Sequence, residues 1–153
     1  MALIIEDGSI VANADSYVTV AEIRAYADKR GFDVPVADAT VEQLAILAID
    51  YMQSKKYIGN LVEAGQALAF PRRDIIDLAD DVIPQAIKNA QIELAIAAHT
   101  NDLLMSEPTA TVQSESTGTT STTYLGGLSS AFVSERVNMF LSQYLRPYSV
   151  NRV

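Results

Sequence analysis

Apolar residues recur at helical spacing in four stretches of the chain, and polar or glycine-containing segments separate them. The first helix is predicted to begin at Thr19 and Glu22. This pair has the spacing of a capping box, in which the threonine hydroxyl accepts the backbone amide of the glutamate and the glutamate carboxylate accepts the backbone amide of the threonine. Gly31 is a natural end for this helix, since glycine adopts the left-handed conformation at helix C-termini. The preceding residues 1–18 are predicted to be extended, with a turn near 13–16.

A second helix is predicted by the same logic. Thr40 and Gln43 have capping-box spacing, and Lys55–Lys56 are cations that suit the negative end of the helix dipole. We expect this helix to be central and the most buried, because its apolar face is broad. The residues of its main stripe are Leu44, Leu47, Ala48, Tyr51 and Met52.

Two further helices are predicted after an irregular segment, residues 57–83. Ile83–Pro84 opens the third helix, since proline is tolerated where the amide has no helical partner. The last helix is expected to run from Ala131 to Leu145. The face of the third helix comprises Ile87, Ala90, Gln91, Leu94, Ala95 and Ala98, and that of the last Val133, Val137, Phe140, Leu141, Tyr144 and Leu145.

Serine, threonine and glycine dominate residues 106–130. This segment is either a flexible arm or a β-hairpin of Thr111–Ser116 and Thr119–Leu125 around Thr117–Gly118. Threonine runs favour the hairpin, which would be polar on both faces and marginal without neighbours. The fold class predicted is therefore mainly α: a small bundle of about four helices with a protruding β-hairpin before the C-terminal helix. Residues 1–153 are expected to form one domain, with a helical core (1–105), the arm (106–130) and the C-terminal helix and tail (131–153).

Charge and composition narrow the classes of function. The formal net charge of −8 argues against a general phosphate-neutralising surface and against an anionic membrane as partner. There is no cysteine, which excludes disulfides and thiolate metal sites. The N-terminus does not look like a signal peptide, and no apolar run is long enough to span a membrane. We expect a protein made in the cytoplasm.

Histidine chemistry rests on one residue, His99. Asp102 lies at i+3 and Glu93 is nearby, so a metal site is conceivable. A histidine that caps carbonyls near a helix end is the favoured interpretation.

Paired carboxylates occur at Asp74 with Asp77 and at Asp80 with Asp81. They lack the spacing of a calcium loop, and a solvated loop and helix start is the favoured interpretation. No GxSxG, GxxxxGK[ST] or GxGxxG motif is present. We therefore expect no enzymatic activity, no cofactor and no metal; a small hydrolase using Asp74, Asp77 or His99 is the least favoured alternative.

Cations cluster at Lys29–Arg30, at Lys55–Lys56 beside Tyr57, and at Arg72–Arg73 beside Phe70. A basic pair next to an aromatic ring can hold a phosphate and stack a base. Acidic residues lie near each cluster, however, which favours solubility, helix-end charge and intersubunit ion pairs instead.

The order of motifs resembles the head-to-tail connector (adaptor) proteins of tailed bacteriophages, in particular the subgroup often labelled DnaT-like single-stranded DNA-binding. Phe70 occupies the position at which this pattern has tryptophan. The segment 106–130 is also richer in plain serine and threonine than the pattern leads us to expect. The matching segments are Asn13–Val18 leading into Val20–Ile23 and Tyr26, Ala45–Tyr51, Gln66–Arg72, Ile83–Pro84 with Ala86–Lys88, Ala90–Gln91 and Glu93–Ala95, then Glu115, Gly118, Tyr124 and the closing helix.

This resemblance implies a structural subunit of the virion neck. Such subunits form a ring, commonly of twelve copies, below the portal protein; the ring extends the DNA channel and docks the next neck, stopper or tail protein. An acidic wall suits DNA that passes without specific binding. The resemblance implies that the C-terminal segment contacts the portal: Leu145, Arg146, Pro147, Tyr148, Ser149, Val150, Asn151, Arg152 and Val153.

The polar ribbon is expected to pair with ribbons of neighbouring subunits by edge-strand addition. The residues expected at these contacts are Thr111, Gln113, Glu115, Thr119, Ser121 and Thr123. The alternative function is a single-stranded DNA-binding module, which would use Lys55–Tyr57 together with Phe70, Arg72 and Arg73.

Overall fold

Four helices and two small antiparallel sheets make up the fold in the computed structural model, which describes residues 2–101, 103, 112–116, 121–124 and 134–147. This confirms the predicted mainly α class with a hairpin before the last helix. The helices are α1 (Val20–Arg30), α2 (Asp38–Gln53), α3 (Gln85–Ala98) and α4 (Glu135–Leu141), and the strands are β1 (Asn60–Leu61), β2 (Arg72–Arg73), β3 (Val112–Ser116) and β4 (Ser121–Tyr124).

The capping box of α1 is confirmed. The Thr19 hydroxyl accepts the Glu22 amide at 3.2 Å, and the Glu22 carboxylate accepts the Thr19 amide at 2.7 Å. Gly31 ends the helix in the left-handed region, with φ of 68°. Local sequence signals therefore determine both ends of α1.

The predicted start of α2 at Thr40 is wrong. The helix begins at Asp38, after an N-cap, Ala37, that makes no side-chain cap bond. The Arg24 guanidinium binds the Asp38 carboxylate at 2.6 Å and also donates to two carbonyls of the preceding loop. The first residue of α2 is thus in contact with α1, and the helix ends at Gln53, two residues before the predicted lysines.

The core lies where α2 packs along α3, and α4 also packs against α3. The buried face of α3 agrees with the prediction from Ile87 to Ala95. On α2, Leu47 was expected in the core but is 49% exposed. The other residues of the predicted stripe, Leu44, Ala48, Tyr51 and Met52, are buried, and so are Ala45 and Ile49.

A buried glutamine connects three parts of the core. The Gln91 side chain is fully buried and accepts the Tyr17 amide at 2.9 Å. Its amide group donates to the Ser16 hydroxyl at 2.8 Å and to the Ala45 carbonyl at 3.2 Å. Gln91 therefore joins the N-terminal segment, α2 and α3 by hydrogen bonds that a buried polar group requires.

The hairpin is confirmed: β3 pairs with β4 antiparallel, from Val112 opposite Tyr124 to Ser116 opposite Ser121. The pairing shifts register at Gln113. The predicted turn, 117–118, lies outside the described residues. Within the described chain, this sheet has only these two strands.

The last helix is shorter than predicted. Ser134 has an extended backbone, and its hydroxyl caps α4 by accepting the Val137 amide at 3.4 Å. A continuous helix from 131 to 145 is therefore wrong, and residues 131–133 lie outside the described ranges. After Leu141 the chain forms one 3₁₀ turn, Ser142–Tyr144, and becomes extended at Leu145. None of the helices in the described ranges has the length and apolarity needed to cross a membrane.

Candidate functional site

A groove of about 400 Å³ lies between the end of α2, the irregular segment 57–72 and the segment after α4. Two of the three cationic clusters predicted from the sequence meet there, joined by Arg146. Four of the eleven lysines and arginines line this groove, and none of the carboxylates in the described ranges does. The lining residues are Gln53, Lys55, Lys56, Tyr57, Leu61, Gln66, Leu68, Ala69, Arg72 and Arg146.

Two glutamine side chains hold the floor of the groove. Gln53 donates to the Ala67 carbonyl and accepts the Ala69 amide, both at 3.0 Å. Gln66 accepts the amides of residues 62 and 63 and donates to the carbonyls of residues 68 and 71. Because these bonds replace regular secondary structure, the irregular segment keeps a fixed shape. Gln66 opens one of the segments that carry the resemblance, but its role in holding the loop was not predicted, and no motif marks Gln53.

Arg72 is the deepest cation of the groove and is only 9% exposed. Its guanidinium donates to the Ile58 carbonyl at 2.7 Å, to Ala69 at 3.2 Å and to Gly59 at 2.9 Å. Burial, followed by the nearby charge of Arg146, lowers the pKa of Arg72. Arg72 therefore stabilises the loop in addition to supplying positive charge.

Arg146 reaches the same groove from the segment after α4. Its backbone amide donates to the Lys56 carbonyl at 2.9 Å, and its Nε donates to the Tyr57 carbonyl at 2.8 Å. Leu145 and Tyr57 form an isolated antiparallel bridge. Of the tail for which portal contact is expected, Leu145 and Arg146 thus lie against the end of α2 within this subunit. Pro147 is exposed, and residues 148–153 lie outside the described ranges.

The two lysines form the outer edge of the groove. The Lys55 Nζ lies 4.3 Å from the centroid of the Tyr51 ring, and Lys56 is exposed. The two ion pairs between described residues, Arg24 with Asp38 and Arg136 with Glu93, lie elsewhere. The groove is thus a positively charged region on an acidic chain.

The stacking role that the sequence offered as an alternative is not available to the aromatic residues. Phe70 is fully buried and Tyr57 is 3% exposed, so neither ring presents a face to a base. The two rings pack edge to face with centroids 5.1 Å apart, and the Tyr57 hydroxyl donates to the Met52 carbonyl at 2.9 Å. Burial raises the pKa of Tyr57 well above its usual range. The groove therefore offers cations without stacking surfaces.

The third cationic cluster lies outside the groove. Lys29–Arg30 ends α1, where the Arg30 guanidinium carbon lies 3.5 Å from the centroid of the Tyr26 ring. Arg73 is exposed on β2 and does not line the groove. The cationic clusters of the sequence therefore predict only some of the residues that line the groove.

His99 is exposed just after α3 and lines a separate cavity with Glu93. The Glu93 carboxylate accepts the Tyr26 hydroxyl at 2.7 Å and the Arg136 guanidinium at 3.3 Å. The other suggested partner, Asp102, lies outside the described residues. Nowhere in the described chain do three histidine, aspartate or glutamate side chains come together as a metal site would require.

The loop carboxylates occupy turns. Asp74 and Asp77 both have positive φ, 64° and 61°. The Asp74 carboxylate accepts the Asn60 side-chain amide at 2.8 Å. Asp80 and Asp81 are exposed. These contacts agree with the solvated-loop interpretation.

The ribbon residues expected at subunit contacts lie on the hairpin as far as the structure describes them. Gln113 and Glu115 are on β3, and Ser121 and Thr123 are on β4. Thr111 and Thr119 lie outside the described residues.

The fold and the groove define a small, mainly helical protein with a local cationic site. Comparison with known families gives a match over the whole chain, residues 1–153, to the family described as "Putative DnaT-like ssDNA binding protein". The chain belongs to this family. Neither a curated protein nor a solved structure matches the chain.

Proposed function

We propose that this protein binds single-stranded DNA through backbone phosphates in the cationic groove and catalyses no reaction. The observation that carries the proposal is that four cations from three segments meet on a chain of net charge −8, with no lining carboxylate among the residues that the structure describes. The description of the family supports the same ligand.

The physical basis is release of counterions. Each phosphate neutralised by a lysine or arginine frees condensed cations, so binding weakens as salt rises. The buried Tyr57 and Phe70 rings add no stacking energy, which is about 1–3 kcal/mol per base where rings are exposed. We therefore infer binding that is weak, salt-sensitive and indifferent to base sequence.

The test uses the two outer lysines. Arg72 is unsuitable because its removal leaves three loop carbonyls without their donor. Lys55→Gln with Lys56→Gln should weaken binding of a fluorescein-labelled oligothymidylate in an anisotropy titration. The slope of log K against log salt should become shallower by about 1.4, since each single-strand contact contributes about 0.7.

The matched control carries the same change in charge away from the groove. Lys29→Gln with Lys88→Gln also removes two positive charges, and neither residue lines the groove. Equal losses of affinity in the two double variants would mean that only net charge matters, and the proposed site would be wrong.

A second candidate function is the head-to-tail connector subunit implied by the resemblance. It has support from uncovered apolar side chains: Val36 is 94% exposed, Ile76 89% and Met139 65%. The β3–β4 hairpin, which has no third strand in the described chain, offers free edges to another copy. Such a subunit would form a ring, for example of twelve copies, in the virion neck, with residues 145–153 at the portal.

Mass measurement of the purified protein, alone and with portal protein, tests the connector. A ring is expected in at least the second sample, and Val36→Asp with Ile76→Asp should reduce it. Gln43→Asp, at an exposed polar site on α2, is the control. A monomer under both conditions would refute this candidate.

A further inference from the structure

Two guanidinium groups converge on one carbonyl oxygen in the groove. Arg72 Nη2 lies 2.9 Å and Arg146 Nη2 lies 3.5 Å from the Gly59 oxygen. Neither arginine has a carboxylate within ion-pair distance among the described residues. The two like charges repel each other; the pKa of Arg72 is lowered first by burial and then by the charge of Arg146. One carbonyl dipole compensates this repulsion only partly.

An anion between or beside the two groups would remove the repulsion. Phosphate suits the pair, because guanidinium forks donate two parallel hydrogen bonds to its oxygens. Arg72 uses three of its N–H donors on carbonyls, which leaves two of its five for a ligand. The lysines at the edge of the same groove, Lys55 and Lys56, supply further charge.

Arg146 also belongs to the segment that the groove holds in place. The Ile58 amide donates to the Tyr144 carbonyl at 2.8 Å, and the Arg146 amide donates to the Lys56 carbonyl at 2.9 Å. Upstream, Val137 and Leu141 of α4 are buried independently in the core. Opening of residues 144–146 would break these two hydrogen bonds and the edge-to-face contact of Tyr144 with Phe70, whose ring centroids are 5.8 Å apart, and Arg146 would leave the groove with them.

We propose that Arg72 and Arg146 form a phosphate-binding pair, and that phosphate binding and docking of residues 144–146 stabilise each other. The reciprocity is required by linkage: a ligand that binds only when Arg146 is docked must favour the docked state by the same factor. This inference deepens the proposed function, because it names the cation pair that engages the phosphate and the segment that responds.

Amide hydrogen exchange on the unmodified protein gives the direct test. Inorganic pyrophosphate, compared with sodium chloride of equal ionic strength, should slow exchange of the Ile58 and Arg146 amides by at least threefold. Amides inside α1 should be unaffected, because that helix does not line the groove. Unchanged exchange at both sites with saturating pyrophosphate would overturn the inference.

A pair of charge-matched variants provides the second readout. Arg146→Gln should weaken pyrophosphate binding about tenfold and abolish the protection of the Ile58 amide. Arg73→Gln removes the same charge from an exposed site outside the groove and should change neither. Arg146→Lys should restore part of the affinity, since charge returns without the guanidinium fork. Equal affinities for Arg146→Gln and Arg73→Gln would contradict the pair.

Oligothymidylate separates this inference from the proposed function. Protection by pyrophosphate without binding of the oligonucleotide would refute single-stranded DNA as ligand and support the phosphate pair. Oligonucleotide binding that is unchanged in Arg146→Gln and leaves the Ile58 amide unprotected would support the function and refute the pair.

Discussion

Gln91→Leu is the substitution that tests the internal organisation of the protein most sharply. Leucine fills a similar volume but cannot hydrogen-bond. The Tyr17 amide would lose its bond to Gln91 and stay buried without a partner. The Ser16 hydroxyl would keep its two bonds to Val18, donating to the carbonyl at 2.7 Å and accepting the amide at 3.1 Å. The Ala45 carbonyl lies within α2 and keeps its helical environment.

The expected loss of stability depends on which of the three partners of Gln91 keep another hydrogen bond. One orphaned buried amide costs about 1–3 kcal/mol, and the two weaker losses add about 1 kcal/mol. We therefore expect the free energy of unfolding to fall by about 3 kcal/mol, and Tm to fall by roughly 6–12 °C for a chain of this size. The damage should reach the groove, because the Tyr17 hydroxyl accepts the Phe70 amide at 3.0 Å, two residues before Arg72.

Urea unfolding followed by circular dichroism measures the effect, with Gln43→Leu as the control. Gln43 is exposed on α2, so its replacement should change the free energy of unfolding by less than about 0.5 kcal/mol. If Gln91→Leu were as stable as Gln43→Leu, with an unchanged m-value, the buried network would not stabilise this fold and the reasoning would be refuted.

Three further predictions concern stability. Glu6→Gln should lower the free energy of unfolding by about 1–3 kcal/mol, because the buried carboxylate accepts three backbone amides and a side-chain amide cannot accept all of them. An unchanged midpoint in urea would contradict this. Gly8→Ala should lower Tm far more than Gly31→Ala, since both have positive φ but only at position 8 would a Cβ lie 1.9 Å from a carbonyl oxygen; equal shifts would argue against the packing of this loop. Burial raises the pKa of Tyr17 and of Tyr57 above the usual value of 10.0, so their contribution to stability should be complete below about pH 10 and lost as pH rises through the raised values; urea midpoints that are equal at pH 8 and pH 11 would contradict it.

Helical periodicity and local capping predict most of the fold. The four helices, the box at Thr19 and the end at Gly31 depend on residues close together in sequence. The predictions fail where contacts between distant residues are involved, as at Asp38, the first residue of α2, which pairs with Arg24 of α1. The exposed position of Leu47 likewise depends on which side of α2 faces α3.

Only some of the residues of the groove could be predicted from the sequence. Lys55–Lys56 and Arg72–Arg73 stand out as charged pairs in the sequence. Arg146 is 89 residues from Tyr57, and no local pattern indicates that its side chain donates to the Tyr57 carbonyl. The burial of Phe70 follows from tertiary packing, whereas its position beside two arginines suggested stacking on a base.

Binding of a labelled oligothymidylate to the unmodified protein across a range of salt concentrations tests the central claim most directly. With four cations in the groove, log K should fall with log salt at a slope of about −2.8, and oligonucleotides of different base sequence should behave alike. Absence of binding at low salt, or binding that does not respond to salt, would contradict the claim that the groove holds single-stranded DNA by its phosphates.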